Sequence, residues 1–112
     1  MIKFSVFYPW FQGCWFDSKY YVENHIQPYV KDPLVKGIIV ESGNSTRNFQ
    51  DPPHYACVAH FFYENEADLY ASRNPERTAS QIADNVNFTN IEGFTLVSEM
   101  AYVQMEKLLE VK

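Results

Sequence analysis

The chain opens on an alternation. From Ile2 to Tyr8, residues Ile2, Phe4, Val6 and Tyr8 fall on one side and Lys3, Ser5 and Phe7 on the other, the period of a strand, and Pro9 ends it. Residues 10–16, Trp-Phe-Gln-Gly-Cys-Trp-Phe, have no clear period. Gly13 marks a turn, and four large rings in so short a loop are expected to cover a core edge or a cavity mouth, or to act as a plain hydrophobic plug. The period then becomes helical. Asp17 suits an N-cap, and at about 100° per residue Tyr21, Val22, His25, Ile26, Pro28 and Tyr29 share an arc of roughly 160°. Lys19, Glu23, Gln27 and Lys31 lie opposite. The helix is predicted over about Asp17 to Val30, with His25 inside its apolar face between two tyrosines. Pro28 has no N–H and leaves the Asn24 carbonyl without its helical partner, so the turn beside His25 should be loosened.

Val35 to Gly43 is β-branched in its centre and reads as a second strand, followed by a polar loop over Asn44 to Pro53. Tyr55 to Tyr63 is the strongest strand. One face carries Ala56, Val58, His60 and Phe62, the other Tyr55, Cys57, Ala59, Phe61 and Tyr63, and both are apolar enough to need cover. Asn65 caps a helix through Leu69 and Tyr70, and Asn74-Pro75 restarts one through Ile82 and Ala83. Asp84 to Asn90 is a polar loop with one buried-looking ring, Phe88, and Phe94 to Met100 is the last strand. The order β-α-β-β-α-β predicts an α+β domain of ferredoxin-like plan over residues 1–100, a four-stranded antiparallel sheet with two helices on one face. No element of a single copy remains for the other face. A second copy, packed sheet to sheet as a dimeric α+β barrel, is the expected cover. Residues 101–112 form a C-terminal extension, either a strand continuation or a short helix through Met105, Leu108 and Leu109.

Composition narrows the partners. The 112 residues suffice for one core, and 17% aromatic content suits a pocket for an apolar or aromatic ligand. A net charge of −5 with no basic run argues against nucleic acid. No apolar run approaches the ~20 residues of a membrane span, and the N-terminus lacks the features of a secretion signal. Cys14 and Cys57 lack metal-ligand spacing, so two reduced thiols in a cytoplasmic protein are expected.

Phe16-Asp17…Tyr20-Tyr21…His25…Pro28, Pro53…Tyr55…Ala59-His60-Phe61, Ala83-Asp84…Asn87-Phe88-Thr89 and Ser98-Glu99 together resemble the EthD family of dimeric α+β barrel proteins, over most of residues 1–100. That family takes its name from a member needed for degrading a fuel ether beside a haem monooxygenase system, and its fungal relatives include dehydratases and other polyketide-tailoring enzymes. The resemblance implies a fold and a pocket more than a substrate. Pro28 stands three residues after His25 where the family usually has proline two after, and the tail beyond Met100 is longer than usual.

His25 is the leading candidate for chemistry. An imidazole of ordinary pKa near ~6.5 in an apolar pocket can serve as general base or acid, or can bind a ligand; the alternative is a core histidine bonded to a tyrosine hydroxyl or loose carbonyl. Asp84 could fix its tautomer as the catalytic partner, or form a local turn. Tyr21, one turn before His25, could orient the ring, bind substrate or simply pack. Phe16, Phe62 and Phe88 are the rings expected at a ligand. His60 could approach His25 if its strand face looks at the helices, and belongs to the interface if it looks at a partner sheet. His25, His54 and His60 lack a carboxylate or cysteine at ligand spacing, so no metal and no cofactor are expected. The predicted function is a small-molecule enzyme or accessory protein using cofactor-independent proton transfer through His25; the alternative is a non-catalytic dimeric carrier.

Overall fold

Four strands form one antiparallel sheet in the order β2-β3-β1-β4, where β1 is Ile2–Pro9, β2 Val35–Ser42, β3 Tyr55–Tyr63 and β4 Phe94–Glu99. The computed structural model describes residues 1–109. The first helical stretch is in three pieces: α1 (Ser18–Tyr20), a π-helical turn over Tyr21–His25, and α2 (Gln27–Val30). Next come α3 (Glu66–Ser72), α4 (Pro75–Asp84) with a 3-10 turn over Asn85–Asn87, and a short α5 (Glu106–Leu109). The fold is α+β and ferredoxin-like, as the order of elements predicts. Residues 110–112 of the expected extension lie outside the described residues. No helix among the described residues is long and apolar enough to cross a membrane.

Local chemistry sets the helix ends. Asp17, Asn65 and Asn74 each accept from the backbone N–H three residues on, at 3.0, 2.9 and 2.9 Å, and Pro75 occupies a first-turn position whose N–H would have no partner. The helix predicted over residues 17–30 departs from α geometry where Pro28 approaches. The Ile26 N–H reaches back five residues to the Tyr21 carbonyl (3.1 Å), which widens the turn, and Gln27 Nε2 donates to the Val22 carbonyl beside it (2.9 Å).

Strand alternation sorts the side chains by face. Cys57, Ala59, Phe61 and Tyr63 of β3 are buried under the helices with Tyr8, Tyr21, Ile26, Tyr29, Leu69, Phe88 and Ile91. Val58, His60 and Phe62 look the other way, opposite Phe7, Ser5 and Lys3 of β1. Tyr55 departs from the predicted alternation. The register shifts where Tyr8 pairs Cys57 but Pro9 pairs Tyr55, and this bulge turns Tyr55 onto the open face, where it packs against Phe7 at 5.4 Å between ring centroids. Phe7 in turn stacks on Phe94 at 5.2 Å. The aromatic loop also differs from expectation. Trp10, Phe11 and Trp15 are exposed, and of its four rings only Phe16 packs inward, on Tyr8, Tyr21 and Phe88.

Phe88, fully buried, touches Tyr8, Phe16, Tyr20, Tyr21 and His25 with ring centroids 4.4 to 6.3 Å apart. Removing such a ring leaves a cavity that the surrounding rings cannot fill. Phe88→Ala should therefore destabilise the protein by roughly 3–5 kcal/mol in denaturant unfolding. A loss under about 1 kcal/mol would show that the 84–91 segment does not depend on this ring.

Candidate functional site

The widened turn places the rings of Tyr21 and His25 one above the other, 5.0 Å apart and 26° from parallel. Phe88 packs against both rings, 4.4 Å from the imidazole and 5.0 Å from the Tyr21 ring. The segment after α4 is tied to the start of the first helix. The Asp17 N–H donates to the Phe88 carbonyl (2.8 Å), Thr89 Oγ1 donates to the Trp15 carbonyl (2.7 Å), and the Trp15 N–H donates to Asn90 Oδ1 (2.9 Å). Phe16 and Thr89 form an isolated β-bridge. These ties bring Asp84, at the end of α4, against His25. Asp84 Oδ2 accepts from His25 Nδ1 at 2.8 Å, while Oδ1 accepts from the Tyr20 hydroxyl at 2.8 Å and from Asn87 Nδ2 at 2.9 Å. The expected histidine–carboxylate pair is thus present in the geometry, with two further donors holding the carboxylate.

Burial pushes the His25 pKa below its ordinary 6.5; the Asp84 bond raises it in part, and the Arg73 charge lowers it again. Asp84 is driven up by partial desolvation, but hydrogen bonds from Asn87, His25 and Tyr20 outweigh that and hold it below the usual carboxylate range. At neutral pH the pair is therefore an imidazole beside a carboxylate. A carboxylate only accepts, so Nδ1 carries the proton and Nε2 keeps its lone pair, the state of a general base. Burial also raises the neighbouring phenols, Tyr8 to about 12 and Tyr21 well above its ordinary value, so both stay neutral donors.

His25 forms part of the wall of a cavity of about 460 Å³ between the helices and the sheet, within the range of small-molecule sites. The cavity is walled by Phe4, Val6, Tyr8, Tyr21, Tyr29 and Phe61, and Tyr70, Ile82, Thr95 and Val97 stand at its exposed side. On the far side of the His25–Asp84 pair an open cleft runs past Tyr20, Asn24, Ser80 and Asn87. The pair stands between cavity and solvent.

The structure divides the residues singled out in the sequence. His25 and Tyr21 line the cavity, Asp84 lies behind His25, and Phe88 and Phe16 back the wall without lining it. His60 and Phe62 do not join them, a correction to their expected place at a ligand. Strand alternation puts them on the opposite face of the sheet, where His60 Nδ1 bonds Ser5 Oγ at 2.8 Å and Nε2 bonds Glu41 Oε1 at 2.6 Å. His54 is exposed at the start of β3, and no three His, Cys, Asp or Glu side chains gather as a metal site among the described residues. Cys57 is buried and its thiol pushed up to about 12 by desolvation, which makes it inert.

Among the cavity residues that escaped the sequence reading is one cation, Arg73, which follows α3. Its guanidinium carbon lies 3.8, 4.2 and 4.4 Å from the ring centres of Phe4, Tyr29 and Phe61. A cation beside Asn-Pro in a connection reads as solvated, yet Arg73 follows buried Leu69 by four residues and so continues the same helix face.

No family model matches this sequence, and no curated protein matches it. Among solved structures the chain is similar to an EthD-like protein from Ralstonia eutropha JMP134, at 27% identity over 92% of this chain and 94% of that chain, with a TM-score of 0.81. It is also similar to an ethyl tert-butyl ether D (EthD) family protein from Bacillus halodurans C-125, at 13% identity over 89% and 98% of the two chains, TM-score 0.68. An antibiotic biosynthesis monooxygenase is 11% identical over 91% of this chain and 100% of its own, TM-score 0.55. These last two share the fold alone. The fold is the ferredoxin-like type of the dimeric α+β barrels. Within that class the chain is similar to the EthD-like protein.

The buried pair makes a titration prediction. NMR of the His25 ring should give a pKa below 6.5 with the neutral proton on Nδ1, and Asp84→Asn, which removes the bond that raises it, should lower it further. Because the folded pKa lies below the unfolded one, the stability that His25 contributes is complete above pH 6.5 and lost as pH falls toward the folded value. A ring pKa at or above 6.5 would contradict the desolvated site.

Proposed function

We propose that this protein acts on a small apolar or aromatic compound held in the cavity between helices and sheet, with His25 as the proton-transfer group and Asp84 as its positioning partner. The observation that carries this reading is the 2.8 Å His25–Asp84 bond on the wall of a 460 Å³ cavity. Burial keeps the imidazole neutral, and Asp84 holds it turned so that Nε2 can take a proton from a bound compound. As the imidazolium forms, the adjacent carboxylate stabilises it, and the outer cleft offers a route by which the proton exchanges with water. Tyr8 and Tyr21, neutral phenols on the same wall, can donate to the oxygen on which negative charge gathers. The step needs no cofactor. Lyase, isomerase or oxygenase outcomes share it, and the likeness to an EthD-like protein supports a place in oxidative degradation or polyketide-like tailoring.

The proposal includes a homodimer of the 1–100 domain, with 101–112 as an extension of it. The open face of the sheet carries Phe7, Tyr55, Phe94 and Leu96, the last three exposed, and a second copy would cover them. Both cysteines are free thiols, which suits the cytoplasm.

A compound screen read by thermal shift identifies a ligand, and turnover of that ligand is then compared with His25→Ala. Loss of about 10²–10⁴-fold in kcat with binding retained is the expected result. Binding retained with turnover never observed in either protein would instead establish a carrier. Sedimentation should give a dimer at micromolar concentration, and Leu96→Asp should shift it toward monomer; a clean monomer in the unsubstituted protein would defeat the sheet-to-sheet arrangement.

A further inference from the structure

Among the described residues, Arg73 is a cation without an anion. Its Nη1 donates to the Tyr29 hydroxyl at 3.3 Å, but Nε and Nη2 are buried and have no hydrogen-bond partner among the described residues. The carboxylate at this end of the helices is already committed: Asp32 accepts from Arg77 Nη1 at 2.6 Å and from Ser72 Oγ at 2.7 Å. The rings of Phe4, Tyr29 and Phe61 around the guanidinium supply attraction through their π faces, yet they accept no in-plane hydrogen bond. A guanidinium whose Nε–H and Nη2–H lie along one edge offers two parallel donors, the spacing that a carboxylate accepts bidentately. Here that edge is the unsatisfied one, and Arg73 is part of the wall of the cavity that holds His25.

We propose that the cavity binds the carboxylate of an aromatic or otherwise largely apolar acid, paired with the free edge of Arg73, its apolar body lying against Phe4, Val6, Tyr8 and Phe61. The inference rests on the cavity reading above and adds the charge of the ligand to it. Nε and Nη2 are buried in this conformation, so the long arginine side chain turns to meet the incoming carboxylate. The rest of the lining fits such a ligand. It is mainly apolar, with hydroxyl and amide groups of Thr78, Gln81 and Asn85, the neutral phenols of Tyr8, Tyr21 and Tyr29, and the neutral imidazole of His25. Asp84, the nearby anion, is engaged by three donors behind that imidazole.

The test compares 1-naphthoate with 1-naphthamide, and the 2-isomers likewise, by isothermal titration of the intact protein. These pairs keep the ring and change the charge. Each carboxylate should bind at least about tenfold more tightly than its amide, the effect of charge-assisted hydrogen bonds in a dry site. Arg73→Met should abolish that preference while leaving the weaker amide binding in place, and it should keep its thermal midpoint, because the change removes a buried charge without an acceptor. His25→Ala should keep the preference. Should Arg73→Met fail to fold, Arg73→Gln and the comparison in the unsubstituted protein still decide. Amide and acid binding alike, or a preference that persists without Arg73, would overturn the proposal while leaving the cavity reading intact. Failure of every compound to bind at millimolar concentration would overturn both. A carboxylate preference with turnover indifferent to His25 would uphold the Arg73 site and remove the proton-transfer reading alone.

Discussion

The burial of Phe88 is the constraint on which the site depends. A ring with no exposed surface, set among Tyr8, Phe16, Tyr20, Tyr21 and His25, pulls the segment after α4 down onto the first helix. The backbone follows: the Asp17 N–H takes the Phe88 carbonyl, and Thr89 pairs with Phe16. Asp84 lies four residues before Phe88, so fixing the ring also fixes where α4 ends and where its last carboxylate can reach. The His25–Asp84 bond is thus set by an aromatic cluster and not by the two polar groups finding each other. A partly buried carboxylate with no such support would have little to hold it against its own desolvation.

Pro28 acts from the other side of the same pair. It withholds one donor from the helix, and the turn before it widens so that the Ile26 N–H reaches Tyr21. With Tyr21 and His25 on that wider turn, their rings stack, and Phe88 packs against both of them. Departures from α geometry cost stability, and they are common where a side chain must be aimed. Here the departure holds His25 at the wall of the cavity with Nδ1 toward Asp84.

Much of this was legible in the chain because it depends on short periods. The alternation of Ile2 to Tyr8, the arc containing Tyr21 and His25, and the Asn74-Pro75 start of α4 each encode their own element, and their order encodes the ferredoxin-like plan. The helical arc and the resemblance to EthD proteins both single out His25, while Asp84 reads as either its partner or a local turn residue; the two lie 2.8 Å apart. What stayed hidden was long-range or non-periodic. Periodicity gives the two faces of β3 but not which of them meets the helices, so His60 and Phe62 were assigned to a ligand they do not face. The bulge that turns Tyr55 over depends on pairing with β1 some 46 residues away. The rings of Trp10, Phe11 and Trp15 are hydrophobic yet exposed, because composition does not say what lies above a loop. Arg73 was hidden for the opposite reason: its charge suggests water, while its position at the end of a buried face and three rings from distant strands and helices take it indoors.

The cavity itself follows from how α4 is held. Helix α4 buries none of its own residues, and Ile82 on it stays exposed. Hydrophobic packing therefore does not press its middle onto the sheet. Its ends are anchored by polar ties instead. At the start, Arg77 bonds Asp32, which also takes the Ser72 hydroxyl, itself bonded to Tyr63. At the end, Asp84 bonds His25 and Tyr20. A helix fixed at both ends and unpacked between them roofs a void, and the residues under the span, from Phe4 and Val6 to His25 and Arg73, become its walls. Asp32 and Asp84 both have pKa values held below the ordinary carboxylate range by the donors around them, so both anchors persist at neutral pH and weaken only as acid protonates them. Asp84 accordingly has two roles that share one bond. It orients the imidazole and it secures the roof, so the geometry that turns His25 Nδ1 toward a carboxylate is the same geometry that keeps the cavity open above the sheet.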